Sequence, residues 1–191
     1  VNKDVMKKSR DYQNGNFDTK TNAAVTDKAA GVMLYGLSST TRASAKESKR
    51  AKELVEKAKK EGKIKDDKVT EDNLKEAGVD VVEAKQLVTA YSINQASQSQ
   101  SVREDVMRGF GNNGGEEYMS FLMTGESVLM QGGENWKTWY DMMSGKLLNI
   151  QNTDGSWDGH HCITSPVFCT ATCLLILSIH KDMQFSMKQH Q

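Results

Sequence analysis

The sequence contains one proline in 191 residues and only three cysteines, and aromatics make up 7% of it. With an odd number of cysteines, all between Cys162 and Cys173, a complete disulfide framework is excluded and the redox compartment is left open. Charge of one sign is also missing: 25 Lys and Arg balance 25 Asp and Glu. No net field therefore draws the whole molecule to nucleic acid or to an anionic membrane. The one apolar run near membrane length, Cys162 to Ile179, is interrupted by Thr164, Ser165, Pro166, Thr170 and Thr172. It reads as a buried core helix and not as a transmembrane segment. The chain begins at Val1, which fits a processed precursor or a trimmed fragment, and an extracytoplasmic or secreted location after processing is the expectation.

What is present favours helix. Ala, Lys, Glu, Met and Leu are abundant and lose little side-chain freedom in a helix, so an all-α fold with almost no sheet is expected. Ala51, Leu54, Val55 and Ala58 follow the i, i+3, i+4, i+7 spacing of a one-sided surface helix. Trp136, Trp139, Tyr140, Met143, Leu147 and Ile150 make a second such stripe. Val167 to Ile179 is apolar nearly all round and should be enclosed by other helices, with Ser165 as its N-cap and Pro166 as its first helical residue. Met119, Met123, Met130, Met142 and Met143 read as core filler, and Cys169 with Cys173 as buried packing residues.

A short motif recurs. Gln13-Asn14-Gly15-Asn16-Phe17 matches Gln151-Asn152-Thr153-Asp154-Gly155-Ser156-Trp157 in its Gly-x-aromatic, and each copy leads into an apolar stretch, Ala29 to Leu37 and Cys169 to Leu177. The spacing suits three units of roughly 47 residues, with weaker echoes at Gly62-Lys63-Ile64 and Gly109-Phe110. The resulting register is four helix hairpins, 1–43, 44–98, 99–133 and 134–191. Inner helices are expected at about 25–39, 80–96, 116–131 and 164–180, and outer ones at about 2–13, 44–61, 100–108 and 135–150. A short extra helix is expected near Thr70 to Ala77.

The segment Gln151-x-x-Asp154-Gly155-Ser156-Trp157, with the apolar helix after it, resembles the Gln-Trp repeat of the squalene-cyclase and protein-prenyltransferase family. The resemblance implies an α/α toroid, or an open arc of one, in which Gln151, Asp154, Gly155 and Trp157 form a structural turn. The acid motif of the cyclases, Asp-x-Asp-Asp, is absent, and so are the Asp-x-Cys of the prenyltransferases and the thioester motif of the complement-type members. In the alignment Cys169 falls where prenyltransferases carry a zinc-ligating His. The scaffold is thus implied without its known activities.

Asp158-Gly159-His160-His161-Cys162 is the most chemically loaded stretch, since imidazole and thiolate both ligate zinc. Without paired ligand spacing, packing at the hairpin mouth is the favoured reading and no cofactor is expected. Zinc held by His160, His161, Cys162 and Cys169 is the alternative. Gly109-Phe110-Gly111-Asn112-Asn113-Gly114 imitates a phosphate loop, but no strand precedes it and Glu116-Glu117 would repel phosphate from the helix start. The expected function is a non-catalytic repeat module that works by contact with a protein partner or a second copy. A lipid-binding protein or an enzyme using the toroid cavity is the runner-up.

Overall fold

The computed structural model describes residues 2–25, 32–109 and 114–188. They form eight helices and one two-stranded ribbon: α1 Lys3–Gly15, β1 Phe17–Asp18, β2 Ala23–Ala24, α2 Val32–Lys60, α3 Glu71–Glu76, α4 Val81–Ser101, α5 Glu104–Met107, α6 Gly115–Gln131, α7 Gly133–Asn149 and α8 Pro166–Lys188. The all-α reading holds. The small exception is the antiparallel ribbon, in which Phe17 opposes Ala24.

Local chemistry sets the helix starts. Asp80 caps α4 by accepting from the Val82 and Glu83 N–H groups at 3.0 and 3.1 Å. Thr70 caps α3 through the Asn73 N–H, where the short extra helix was expected. α8 starts at Pro166, and the Ser165 carbonyl accepts the Cys169 N–H at 3.0 Å.

The longest element departs from the sequence reading. Residues expected to divide into an inner helix ending at 39 and an outer one starting at 44 form the single helix α2, so the boundary between 43 and 44 falls inside it. The intervening Ser-Thr-rich run contains no Gly or Pro stop. Its hydroxyls bond back into the helix, Thr41 Oγ1 to the Leu37 carbonyl at 2.7 Å and Ser44 Oγ to that of Thr40 at 2.8 Å. Likewise α4 runs past 98 to Ser101, and the predicted helix at 100–108 shrinks to the single turn of α5. Ala29 and Phe110, two markers of the repeat register, lie outside the described residues.

α2 packs against both α4 and α6, and α6 packs in turn against α8 and α7. The result is a row, α4–α2–α6–α8, with α7 laid over α6. Two apolar clusters share α2. One joins Leu34 and Leu37 to Phe121, Met143, Leu147, Trp157 and Ile176; the other joins Val55 and Ala58 to Leu74, Ala84 and Leu87. The stripe on α7 behaves as its spacing predicts, with Trp139, Met143 and Leu147 buried. Met119, Met130 and Met142 do not: each is more than a third exposed, being placed on the outer faces of α6 and α7. Among the described residues no helix is long and apolar enough to cross a membrane.

Between the clusters lies a polar seam centred on Asn94, which is fully buried. Its amide donates to the Thr41 carbonyl at 2.8 Å and to Ser44 Oγ at 3.1 Å, while its Oδ1 accepts from Gln98 at 2.8 Å and Gln131 at 3.3 Å. One side chain thus ties α2, α4 and α6 in register. Asn94→Ala strands these partners without compensation and should cost about 1–3 kcal/mol for each buried group left unsatisfied. The measurement is a shift in urea midpoint at unchanged slope.

Candidate functional site

The turn that follows α7 is built as its residues suggest. Gly155 N–H donates to the Asn152 carbonyl and Asn152 N–H to that of Ser156, both at 2.9 Å, with Gly155 in the left-handed region at φ +85°. Gln151 Nε2 closes the turn onto the Gly155 carbonyl at 2.9 Å. Asp154 Oδ1 accepts from the Ser156 hydroxyl at 2.7 Å and from its N–H at 3.0 Å. Trp157 is 1% exposed; its indole N–H donates to the Leu147 carbonyl and its backbone N–H to Thr170 Oγ1, so it bolts the end of α7 to the start of α8.

Beyond Trp157 the chain presses onto the start of α6. The Gly115 N–H donates to the Ile163 carbonyl at 3.0 Å. A Cβ on Gly159 would fall 2.3 Å from that same oxygen, so only glycine fits there. This approach brings His161 and Cys162 to Glu116 and Glu117, whose side chains are only 9% and 1% exposed. His161 lies between them: Nδ1 is 2.5 Å from Glu116 Oε1 and Nε2 is 3.6 Å from Glu117 Oε1. Glu116 Oε2 accepts the Ile163 N–H at 3.2 Å, and Glu117 Oε2 the Gly114 N–H at 2.8 Å. Cys162 is held at φ +52°, an uncommon conformation for a residue with a side chain, and its thiol hydrogen-bonds Glu116.

Each charge state follows from this packing. Burial pushes the Glu116 carboxyl up, but its own N–H, the Cys162 thiol, the Ile163 N–H and His161 together hold it below the ordinary glutamate value. The bond to Glu116 raises the Cys162 thiol, helped by burial and by the negative field of both glutamates. Tyr35 on α2 is raised chiefly by burial, and then by Glu116, Glu117 and Cys162. Lys146 is lowered by burial, against the pull of Glu117, and its ammonium sits 5.5 Å from the Phe121 ring centroid.

The four residues that sequence reading grouped as alternative zinc ligands separate. His161 and Cys162 converge; His160, the residue before them, is exposed and does not belong to the group. Cys169 is buried inside α8 with its Sγ 3.7 Å from the Ile163 carbonyl and its thiol raised by burial. The position aligned with the prenyltransferase His ligand therefore does not fit a metal. Glu116, absent from the predicted set, joins instead: its carboxylate, the His161 imidazole and the Cys162 sulfur present ligand atoms all within 4.8 Å of one another. Phe110 to Asn113 of the glycine-rich phosphate-loop imitation lie outside the described residues.

A second feature is the outer face of α8. The enclosure expected of this helix is not met among the described residues, where Val167, Leu174 and Leu175 are 80%, 53% and 51% exposed. α8 is the last member of the row, and among the described residues no helix covers its far side. A separate groove of about 380 Å³ between α4 and α7, lined by Gln95, Gln98, Val102, Asn135, Trp139 and Met142, carries no charged side chain.

No protein-family model matches this chain, and neither a curated protein nor a solved structure matches it significantly.

Asp154 offers a direct test of the turn. The Ser156 hydroxyl and N–H hold its carboxyl below the usual aspartate value. Its stabilising contribution is therefore present above the ordinary aspartate range and lost as pH falls through the depressed value. In an NMR pH titration Asp154 should protonate below a free aspartate, and Ser156→Ala should move that midpoint upward.

Proposed function

We propose that this chain is a non-catalytic helical-repeat module of the α/α-toroid type, an open arc that works by protein contact, and that the surface in use is the outer face of α8. The observation that carries the reading is the contrast between the ends of the row. At the α4 end Val81 and Val82 are exposed in the first turn, but beyond it the exposed residues are the polar Lys85, Gln86 and Ser99, as suits a terminal repeat facing water. At the α8 end the face is Val167, Ala171, Leu174, Leu175 and Ser178, at the spacing of one helical stripe. An apolar stripe at the end of a helical row calls for another helix to cover it.

The occupant is a second copy of the same helix. From Pro166 to His180 α8 carries no Asp, Glu, Lys or Arg, so two copies crossing antiparallel near Leu174 meet no like charges. A two-fold axis there places the same patch on both sides, which is the commonest form of soluble oligomer. Support for the arc comes from Trp157, which locks α7 to α8 where the toroid family places its structural aromatic.

Light scattering coupled to size-exclusion chromatography should give a dimer mass, and Leu174→Glu with Leu175→Glu should give a folded monomer. A wild-type monomer throughout the micromolar range overturns the proposal. A monomer that pellets with lipid vesicles would also overturn it, since the stripe would then serve a membrane surface.

A further inference from the structure

The cluster at the mouth of α6 and α8 has no part in that contact. We propose that Glu116, His161 and Cys162 form a zinc site, with Glu117 as the outer carboxylate that orients the imidazole.

The ligand set comes from two segments 45 residues apart in sequence, joined by the Gly115 to Ile163 hydrogen bond. It offers one carboxylate oxygen, one imidazole nitrogen and one sulfur within 4.8 Å. Zinc binds these three atom types at about 2.0–2.3 Å, so ligands of a single ion stand within such a span of one another. The sulfur with an imidazole selects zinc over magnesium or calcium, which prefer all-oxygen shells.

Two further observations point to an ion. Glu116 Oε1 is enclosed, and the group that faces it is His161 Nδ1 at 2.5 Å. A buried carboxylate oxygen in that position is costly unless a positive charge meets it. Secondly, the arrangement on the far side of the imidazole is the one that metal-ligating histidines use. With Nδ1 turned to the ligand group, Nε2 faces Glu117 Oε1 at 3.6 Å, and the other Glu117 oxygen is fixed by the Gly114 N–H. A carboxylate behind a histidine sets its tautomer and raises its basicity as a ligand.

Three protein ligands leave a fourth position for water or a small anion. Cys162, the outermost of the three, is exposed to solvent. The ion's mechanical effect is to pin the 158–163 loop to α6, beyond what the single backbone hydrogen bond provides.

The test uses the full chain, stripped with a chelator and titrated with zinc and with cobalt. One equivalent of zinc should bind, and cobalt should give a thiolate charge-transfer band. Cys162→Ser should abolish the band. His161→Ala and Glu116→Gln should each weaken zinc at least tenfold, and Glu117→Gln by about 10–100-fold. His160→Ala and Cys169→Ala should leave the band and the affinity unchanged. Zinc should also protect Cys162 from alkylation in the wild-type chain, a readout that needs no variant to fold. Absence of both the band and the protection overturns the site. So does a band that survives Cys162→Ser, or one lost with Cys169→Ala, because the metal would then lie elsewhere.

Discussion

Two neighbouring carboxylates buried at the start of one helix set the terms for this end of the molecule. Glu116 and Glu117 sit where the N–H groups of α6 point outward, and a helix N-terminus favours negative charge. That help covers part of the cost of removing two charges from water. The remainder is met from outside the helix by the Ile163 N–H, the Cys162 thiol and the His161 imidazole. Those groups arrive only because the Gly159 backbone can lie against that of Ile163 and Gly115. Trp157 fixes the loop's other end. Turn, loop and helix start therefore form one electrostatic unit, and the packing of α8 on α6 follows from it.

A different logic governs the middle of the row. Where α2, α4 and α6 meet, small hydroxyls and amides take the place of large apolar side chains. Small residues allow the helices to come close, Thr41 and Ser44 return their hydroxyls to the α2 backbone, and Asn94 then selects one alignment among those that close packing alone would allow. Hydrophobic burial holds the two ends, and hydrogen bonding fixes how they are joined.

The sequence made some of this legible and hid the rest for identifiable reasons. Strong periodicity identified α7 and the C-terminal half of α2, and Ser165-Pro166 marked the start of α8. The Asp-Gly-Ser-Trp turn was recognisable because Asp, Gly and Trp each have a narrow range of uses there. The continuity of α2 was hidden because Ser and Thr usually mark caps and turns; whether they bond inward to their own helix is decided by what packs beside them. At the site, His161 and Cys162 were legible as reactive types, but Glu116 and Glu117 were read only as acidic helix-start residues that repel phosphate. Charged residues at such a position are ordinary, and only the folding back of a loop 45 positions later buries them. Their one signal was to stand beside two glycines at the head of an otherwise apolar helix.

α2 is a member of both apolar clusters, and at 29 residues it spans about 43 Å. Its two halves have different company: Leu34 and Leu37 are held by α6, α7 and α8, while Val55 and Ala58 are held by α3 and the first turns of α4. If α3 and the head of α4 detach, the last turns of α2 lose Leu74, Ala84 and Leu87 and keep little beyond Ile64, while the first turns keep their neighbours. The helix would then be a shaft gripped at one end, able to fray at its basic C-terminal turns, with Lys57, Lys59 and Lys60, without disturbing the far end.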